Sequence, residues 1–221
     1  VGCAHAGDRV ARVRVSFDRH GETSVHTEGL ADIGAQRALS ADDPARIASI
    51  SKLVTTIGAM RLVEAGQLNL DADVSGLLGF SLRNPAFPQV PITLRMLLSH
   101  TSSLTDRAGY WNVPLGDDIR ILTIQPEAWD SQHPPGTFFR YTNLNFPLVA
   151  QTMERASGER FDRLMRRLVL FPMQLDACFN WSGCSQAALA RAVVLYDEKS
   201  APQKDDLHGK APACAVIAAR D

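Results

Sequence analysis

Ser49-Ile50-Ser51-Lys52 sets a serine hydroxyl and a lysine amine three residues apart at the opening of a helical pattern. The apolar residues Ile50, Leu53, Val54, Ile57 and Met60 recur at three- and four-residue steps. That spacing predicts a helix from Ser49 to about Glu64 with this stripe buried. Ser49, Lys52 and Thr56 then share the other face. Residues i and i+3 stand one turn apart on a helix, so the lysine nitrogen reaches the serine oxygen on unstrained backbone. A serine in the first turn also sits at the positive end of the helix macrodipole, which favours a developing oxyanion. Its hydroxyl is a poor nucleophile until a base takes the proton, and a lysine whose pKa is lowered by burial or by a nearby cation can serve. Lys199, Lys204 and Lys210 have no serine three residues before them, so the chain offers one such pair.

Composition narrows the classes. With 221 residues the chain can bury a sizeable core, as one large domain or two small ones, and 45% hydrophobic with 21% charged residues is ordinary for a globular protein. A formal net charge of −1 argues against a nucleic-acid partner. Arg163, Arg166 and Arg167 alternate with Phe161, Leu164, Met165 and Leu168, which reads as the solvated face of an amphipathic helix. No apolar run approaches the ~20 residues of a transmembrane segment. The histidines form no ligand-spaced pair with cysteine or acid, so no metal and no cofactor is expected. Cys178 and Cys184, around Trp181 and Gly183, permit a small-loop disulfide, and Val1-Gly2-Cys3 fits the remnant of a lipoprotein processing site. Both point to an exported, periplasmic or secreted protein.

Alternation from Val10 to Phe17, a turn at Arg19-His20-Gly21-Glu22 and a second run to Ala31 predict an antiparallel hairpin. Helix and loop follow: a stop at Gly66, a short helix after Asp71, a helix capped by Thr93 through Leu98, and a turn at Pro134-Pro135-Gly136. A longer helix carries Leu144, Leu148, Val149, Thr152, Met153 and Ala156 and closes at Gly158, and the arginine-bearing helix ends near Phe171-Pro172. Tyr196 to Lys210 is a polar excursion, and Ala213 to Ala219 reads as a strand. The expected division is residues 1–40 as an N-terminal hairpin of an α/β domain, 41–195 as a helical domain, and 196–221 as the excursion and a return strand. Two or three strands make a poor sheet against that many helices.

Four blocks, in order, resemble the superfamily of serine β-lactamases, penicillin-binding proteins and related family VIII-type esterases, particularly its class C-like members. They are Ser49 to Lys52; Leu62-Val63-Glu64-Ala65-Gly66-Gln67-Leu68-Asn69-Leu70-Asp71; Leu94-Arg95-Met96-Leu97-Leu98-Ser99-His100-Thr101-Ser102; and Pro135-Gly136-Thr137-Phe138-Phe139-Arg140-Tyr141-Thr142-Asn143. The resemblance runs from the first hairpin to about Met173. It implies an α/β (α+β) fold, β-lactamase-like, with an antiparallel sheet flanked by helices plus a helical domain. The implied chemistry is serine acyl transfer on an ester, amide, D-amino-acid peptide or β-lactam carbonyl, with Ser49 as nucleophile and Lys52 as base. The family's Tyr-x-Asn motif has two candidates, Tyr110-Trp111-Asn112 and Tyr141-Thr142-Asn143. The second follows the Pro-Gly-Thr-x-Phe turn, where the family places it, and makes Tyr141 the third catalytic residue. A phenol beside a cation exists partly as phenolate and could relay the serine proton. Asn143 would orient the substrate amide or the lysine. Trp111 and Trp129 either line the substrate cleft or pack in a core, with Trp111 preferred for the cleft. His100 belongs to a structural turn, His133 to a loop, and Ser102 and Ser103 cap turns.

The family's third motif, a Lys-Thr-Gly-like triplet supplying an oxyanion-hole donor, is not found; Leu207-His208-Gly209-Lys210 lies too early in the polar excursion to take that role. The chain is therefore expected to be the N-terminal part of the fold, its sheet incomplete, and to need a second polypeptide or C-terminal fragment. Two competing readings remain: a non-catalytic ligand-binding or sensor domain of the penicillin-binding fold, and an unrelated helical protein in which Ser49 is merely an N-cap, Lys52 points to solvent and Tyr141 lies far away.

Overall fold

A computed structural model describes residues 10–113 and 117–203. In chain order these form β1 (Ala11–Asp18), β2 (Gly21–Asp32), β3 (Arg37–Ala38), α1 (Ile50–Glu64), α2 (Ser75–Leu78), α3 (Leu94–Leu98), α4 (Arg120–Thr123), α5 (Asn145–Ser157), α6 (Phe161–Met165), α7 (Gln186–Arg191), β4 (Leu195–Tyr196) and β5 (Pro202–Gln203). They divide into two compact units, residues 10–48 with 176–203, and residues 49–175. Val1-Gly2-Cys3, Leu207-His208-Gly209-Lys210 and the strand expected at Ala213–Ala219 lie outside the described residues.

The first unit is built on the hairpin that the alternation predicts. β1 pairs antiparallel with β2 in the register Val13↔Thr27 and Val15↔Val25, and β2 pairs with β3, giving the order β1-β2-β3. Gly21 closes the turn at φ +132°, a backbone that L side chains rarely adopt. Val13, Val15 and Phe17 point to one side of the pleat and remain exposed. The chain returns to this sheet late: Val194 N–H donates to Ala31 O at 2.9 Å, and the Arg37 guanidinium joins Asp43 (2.7 Å) to the carbonyls of Arg191 (2.7 Å) and Ala192 (3.0 Å). α7 begins where the Ser185 hydroxyl accepts from Ala188 N–H. β4 and β5 make a two-stranded ribbon within the excursion, and Cys178 and Cys184 form the small-loop disulfide that their spacing permits.

The second unit packs around α5, whose Leu148, Val149, Thr152 and Met153 are fully buried and which meets α1, α2, α3 and α6. Gly66 ends α1 at φ +70°, Thr93 caps α3 by accepting from Met96 N–H, and Gly158 closes α5 in the left-handed region, all as the punctuation predicts. α6 runs into a single π turn at Arg166–Leu170 that buries Val169 and Leu170 and leaves Arg166 and Arg167 on the surface.

The side of α1 that packs is not the one expected. Ile50, Leu53, Ile57 and Met60 are 61%, 63%, 40% and 42% exposed, and the buried residues are Thr55, Gly58, Ala59 and Leu62. Side chains of the neighbouring helices fill this small-residue face: a Cβ added at Gly58 would stand 2.5 Å from Met165 Sδ and 3.2 Å from Met153 Cε. Met153 of α5 and Met165 of α6 take the space over the small residues, and the large apolar residues are left facing outward. No helix among the described residues is long and apolar enough to cross a membrane.

Candidate active site

Ser49 occupies the N-cap position of α1 with helical backbone (φ −67°, ψ −10°), just after Ala48, whose φ of +44° is unusual for a residue with a side chain. Its hydroxyl makes no capping bond, which removes the reading of Ser49 as an ordinary cap. Instead, Ser49 Oγ lies 2.7 Å from Tyr141 Oη and accepts from Lys52 Nζ at 3.0 Å. The lysine also donates to Tyr141 Oη at 2.6 Å and to Asn143 Oδ1 at 2.9 Å. Three ammonium donors thus meet three oxygens. Nζ further lies 4.9 Å from the centre of the Tyr141 ring and 5.6 Å from that of Phe146, so the cation also faces two π clouds. Ser49, Lys52, Tyr141 and Asn143, from positions up to 94 apart in sequence, form one hydrogen-bonded cluster.

Tyr141 and Asn143 are held by two loops laced side by side. Gly136 N–H donates to Thr101 O (2.7 Å), Arg140 N–H to His100 O (2.8 Å), and the buried Thr142 hydroxyl to Leu104 O (2.9 Å). Ser102 Oγ donates to Asn145 Oδ1 at 2.6 Å and accepts from Leu104 N–H, so it is buried and supports a turn. The last rung is Asp106, whose carboxylate accepts from Asn143 N–H, Asn143 Nδ2 and Leu144 N–H, each at 3.0 Å. Two of these are backbone donors at the start of α5, where an anion also meets the positive end of the helix. Sequence reading missed Asp106. It lies 37 positions before Asn143, and the only local signal is a Thr-Asp pair opening a short turn, in which the Thr105 hydroxyl accepts from Arg107 N–H.

The electrostatics favour Tyr141 as a proton acceptor. The hydrogen bond from Lys52, then that with Ser49, and the lysine charge lower its phenol pKa, against partial burial and the charge of Asp106. Tyr110, the rival, is pushed the other way by burial, by Asp106 and by Tyr141. His100 lies with its ring 4.6 Å from that of Tyr141, and its Nδ1 accepts from Thr142 N–H and faces Asn145 Nδ2 at 3.0 Å. Burial, then the charge of Lys52, lowers its pKa. A neutral ring with Nδ1 engaged this way serves the turn and backs Tyr141. It holds φ +57° as the turn requires.

Other sequence candidates fall outside the cluster. Trp111 is 66% exposed and packs edge-on against Tyr110, without a hydrogen bond to the four residues. Trp129 is a core residue, 2% exposed, with its indole N–H donating to Thr123 O, which corrects the cleft alternative for that side chain. His133 sits in its loop against Asp130 and stacks on Phe138. No group of three or more His, Cys, Asp or Glu placed to hold a metal occurs among the described residues.

Comparison with known proteins bears on the family and the fold. The family model described as Beta-lactamase matches residues 7–214. Penicillin-binding protein 4* of Bacillus subtilis (strain 168) is 29% identical over 158 residues, covering 68% of this chain and 34% of that protein. Esterase EstB of Burkholderia gladioli is 29% identical over 183 residues, covering 72% of this chain and 44% of that protein. Among solved structures, EstCE1, a hydrolase with promiscuous acyltransferase activity, aligns with a TM-score of 0.71 at 25% identity over 88% of this chain and 54% of that one. The chain spans less than half the length of the two curated relatives.

Proposed function

The chain belongs to the beta-lactamase family and has its α/β fold, and on that premise we propose that it carries the nucleophilic half of a serine hydrolase working through an acyl-enzyme. The observation that supports this most strongly is the placement of Tyr141 Oη, 2.7 Å from Ser49 Oγ and 2.6 Å from Lys52 Nζ. Lys52 Nζ donates to its three oxygen partners, and Tyr141 is the neighbour able to receive the serine proton. Ser49 Oγ attacks the carbonyl carbon of an ester, amide, D-amino-acid peptide or β-lactam as its proton passes to the Tyr141 phenolate. Lys52 holds the phenolate charge before transfer and the hydrogen-bonded geometry after it. The tetrahedral oxyanion takes one hydrogen bond from Ser49 N–H at the start of α1. The protonated phenol then gives its proton to the leaving alcohol or amine as that bond breaks. Water, deprotonated by the same phenolate, releases the acyl group and restores Ser49.

The rest of the site is assigned to a second polypeptide or C-terminal portion. Two observations support this: the curated relatives are more than twice as long as the segments they share with this chain, and the apolar stripe Ile50, Leu53, Ile57, Met60 faces outward. A second oxyanion donor supplied by that portion would be worth about 10²–10³ in turnover. Trp111 contributes an aromatic wall to the substrate site, and the disulfide fits a periplasmic or secreted location.

Hydrolysis of a short-chain p-nitrophenyl ester compared with a chromogenic cephalosporin, with Ser49→Ala as control, tests the reaction and ranks the substrates. Loss of both activities on that substitution supports Ser49 as nucleophile; survival of either removes it. Reversible binding of the cephalosporin without hydrolysis or adduct would return the protein to the ligand-binding class.

A further inference from the structure

We propose that Asp106 is a positioning residue of this site, acting by fixing which end of the Asn143 amide faces Lys52. The inference rests on the serine-hydrolase reading above. An asparagine side chain can present either its oxygen or its NH2 to a neighbour, and the two are almost the same shape. A carboxylate removes that freedom, because it only accepts. With Asp106 Oδ2 3.0 Å from Asn143 Nδ2, the amide nitrogen is committed to Asp106 and Oδ1 is left to take the lysine proton at 2.9 Å. The reverse rotamer would set NH2 against Lys52 Nζ, donor against donor, and the lysine would lose one of its three acceptors.

Asp106 is itself rigidly held. Leu104 forms an isolated β-bridge with Trp129, Thr105 N–H donates to Ala128 O at 2.8 Å, and the Thr105 hydroxyl donates to Glu127 O at 2.6 Å. The carboxylate's remaining bonds, to Asn143 N–H and Leu144 N–H, fix the backbone of the segment whose side chain it orients. The chain of command therefore runs from a buried bridge to Asp106, to the Asn143 amide, to the direction of Lys52.

The test is a double-mutant cycle on the rate at which a fluorophosphonate labels Ser49, followed by intact mass in the high-pH plateau, with thermal midpoints recorded for every variant. Asp106→Asn keeps the size and removes the committed acceptor. The plateau rate falls about tenfold, the loss of one charge-assisted hydrogen bond. In an Asn143→Ala background the same change lowers the rate by less than about twofold, because its target is gone. In parallel, the Asn143 side-chain NH2 signals in a ¹⁵N spectrum, identified by their absence from Asn143→Ala, exchange slowly in the wild type and rapidly in Asp106→Asn. A wild-type plateau rate in Asp106→Asn, the full tenfold loss repeated without Asn143, or unchanged Asn143 NH2 signals would each overturn the proposal. Should wild-type protein take no label, the hydrolase reading fails, and the NH2 exchange still decides the role of Asp106.

Discussion

Tyr141→Phe removes one oxygen and little else. The ring keeps its place 4.6 Å from that of His100, and the lost hydroxyl stood at a half-exposed position where water can take over its bonds, so stability changes by about 0.5 kcal/mol or less. The effect on reactivity is much larger. Tyr141 Oη makes two short contacts, 2.7 Å to Ser49 and 2.6 Å to Lys52. Two charge-assisted hydrogen bonds at ~1.5–3 kcal/mol each give ~3–6 kcal/mol, which is about 10²–10⁴ in rate. General-base catalysis independently contributes about 10²–10⁴. The assay is the second-order rate of fluorophosphonate labelling between pH 6 and 11. The phenol pKa is lowered from its ordinary 10.0, so the phenolate fraction and the wild-type rate rise through a midpoint below 10. Tyr141→Phe is slower by that factor and lacks the rising limb. Labelling within threefold of wild type at neutral pH, with the limb intact, would refute the assignment of the proton to Tyr141.

Further consequences concern the frame around the site. Gly58→Ala places a methyl 2.5 Å from Met165 Sδ and 2.9 Å from its Cε, the far end of a flexible side chain that shifts at small cost; with a helix-propensity gain of ~1 kcal/mol the urea midpoint holds or rises, and a fall would show that Met165 is locked in place. Gln151 is 1% exposed and neither its Oε1 nor its Nε2 has a partner among the described residues; Gln151→Leu raises stability by ~1–3 kcal/mol in urea denaturation, and an unchanged or lower midpoint would show those atoms to be satisfied. Burial pushes the Glu154 carboxyl up to about 7 while its Oε1 accepts from Phe161 N–H. A folded pKa above the unfolded value means that the stabilisation is complete below about 4.5 and is lost as pH climbs through about 7. Glu154→Gln, which keeps the acceptor, is therefore favoured over wild type at pH 8 by ~1 kcal/mol, discounted for the side chain's partial exposure, and the gain vanishes by pH 4.

What could be read from the sequence follows the range of the interactions. The Ser49–Lys52 contact is local, so helix geometry alone anticipates its 3.0 Å. Turns and caps at Gly21, Gly66, Thr93 and Gly158 are equally local, and each residue type does there what its backbone or side chain allows. Tyr141 could be preferred over Tyr110 only through its place after the Pro-Gly-Thr turn. The hydrogen bonds to Ser49 and Lys52 that distinguish the two tyrosines span about ninety positions. Asp106 had no pattern to announce it, since its partners are backbone and amide donors on another loop. On α1, reading large apolar residues as the buried stripe picked the wrong face for this unit. Hydrophobicity says which residues gain from burial, whereas the space the neighbouring side chains leave says which can be accommodated, and at Gly58 the Met165 and Met153 side chains already fill it.

Whether Ser49 is the nucleophile is decided by the position of a covalent adduct. Wild-type protein treated with a fluorophosphonate, digested and sequenced by tandem mass spectrometry should carry one adduct per chain on the peptide containing Ser49, and Ser49→Ala should carry none. An unmodified Ser49 with the adduct on Ser51 or elsewhere, or equal labelling of Ser49→Ala, would contradict that role.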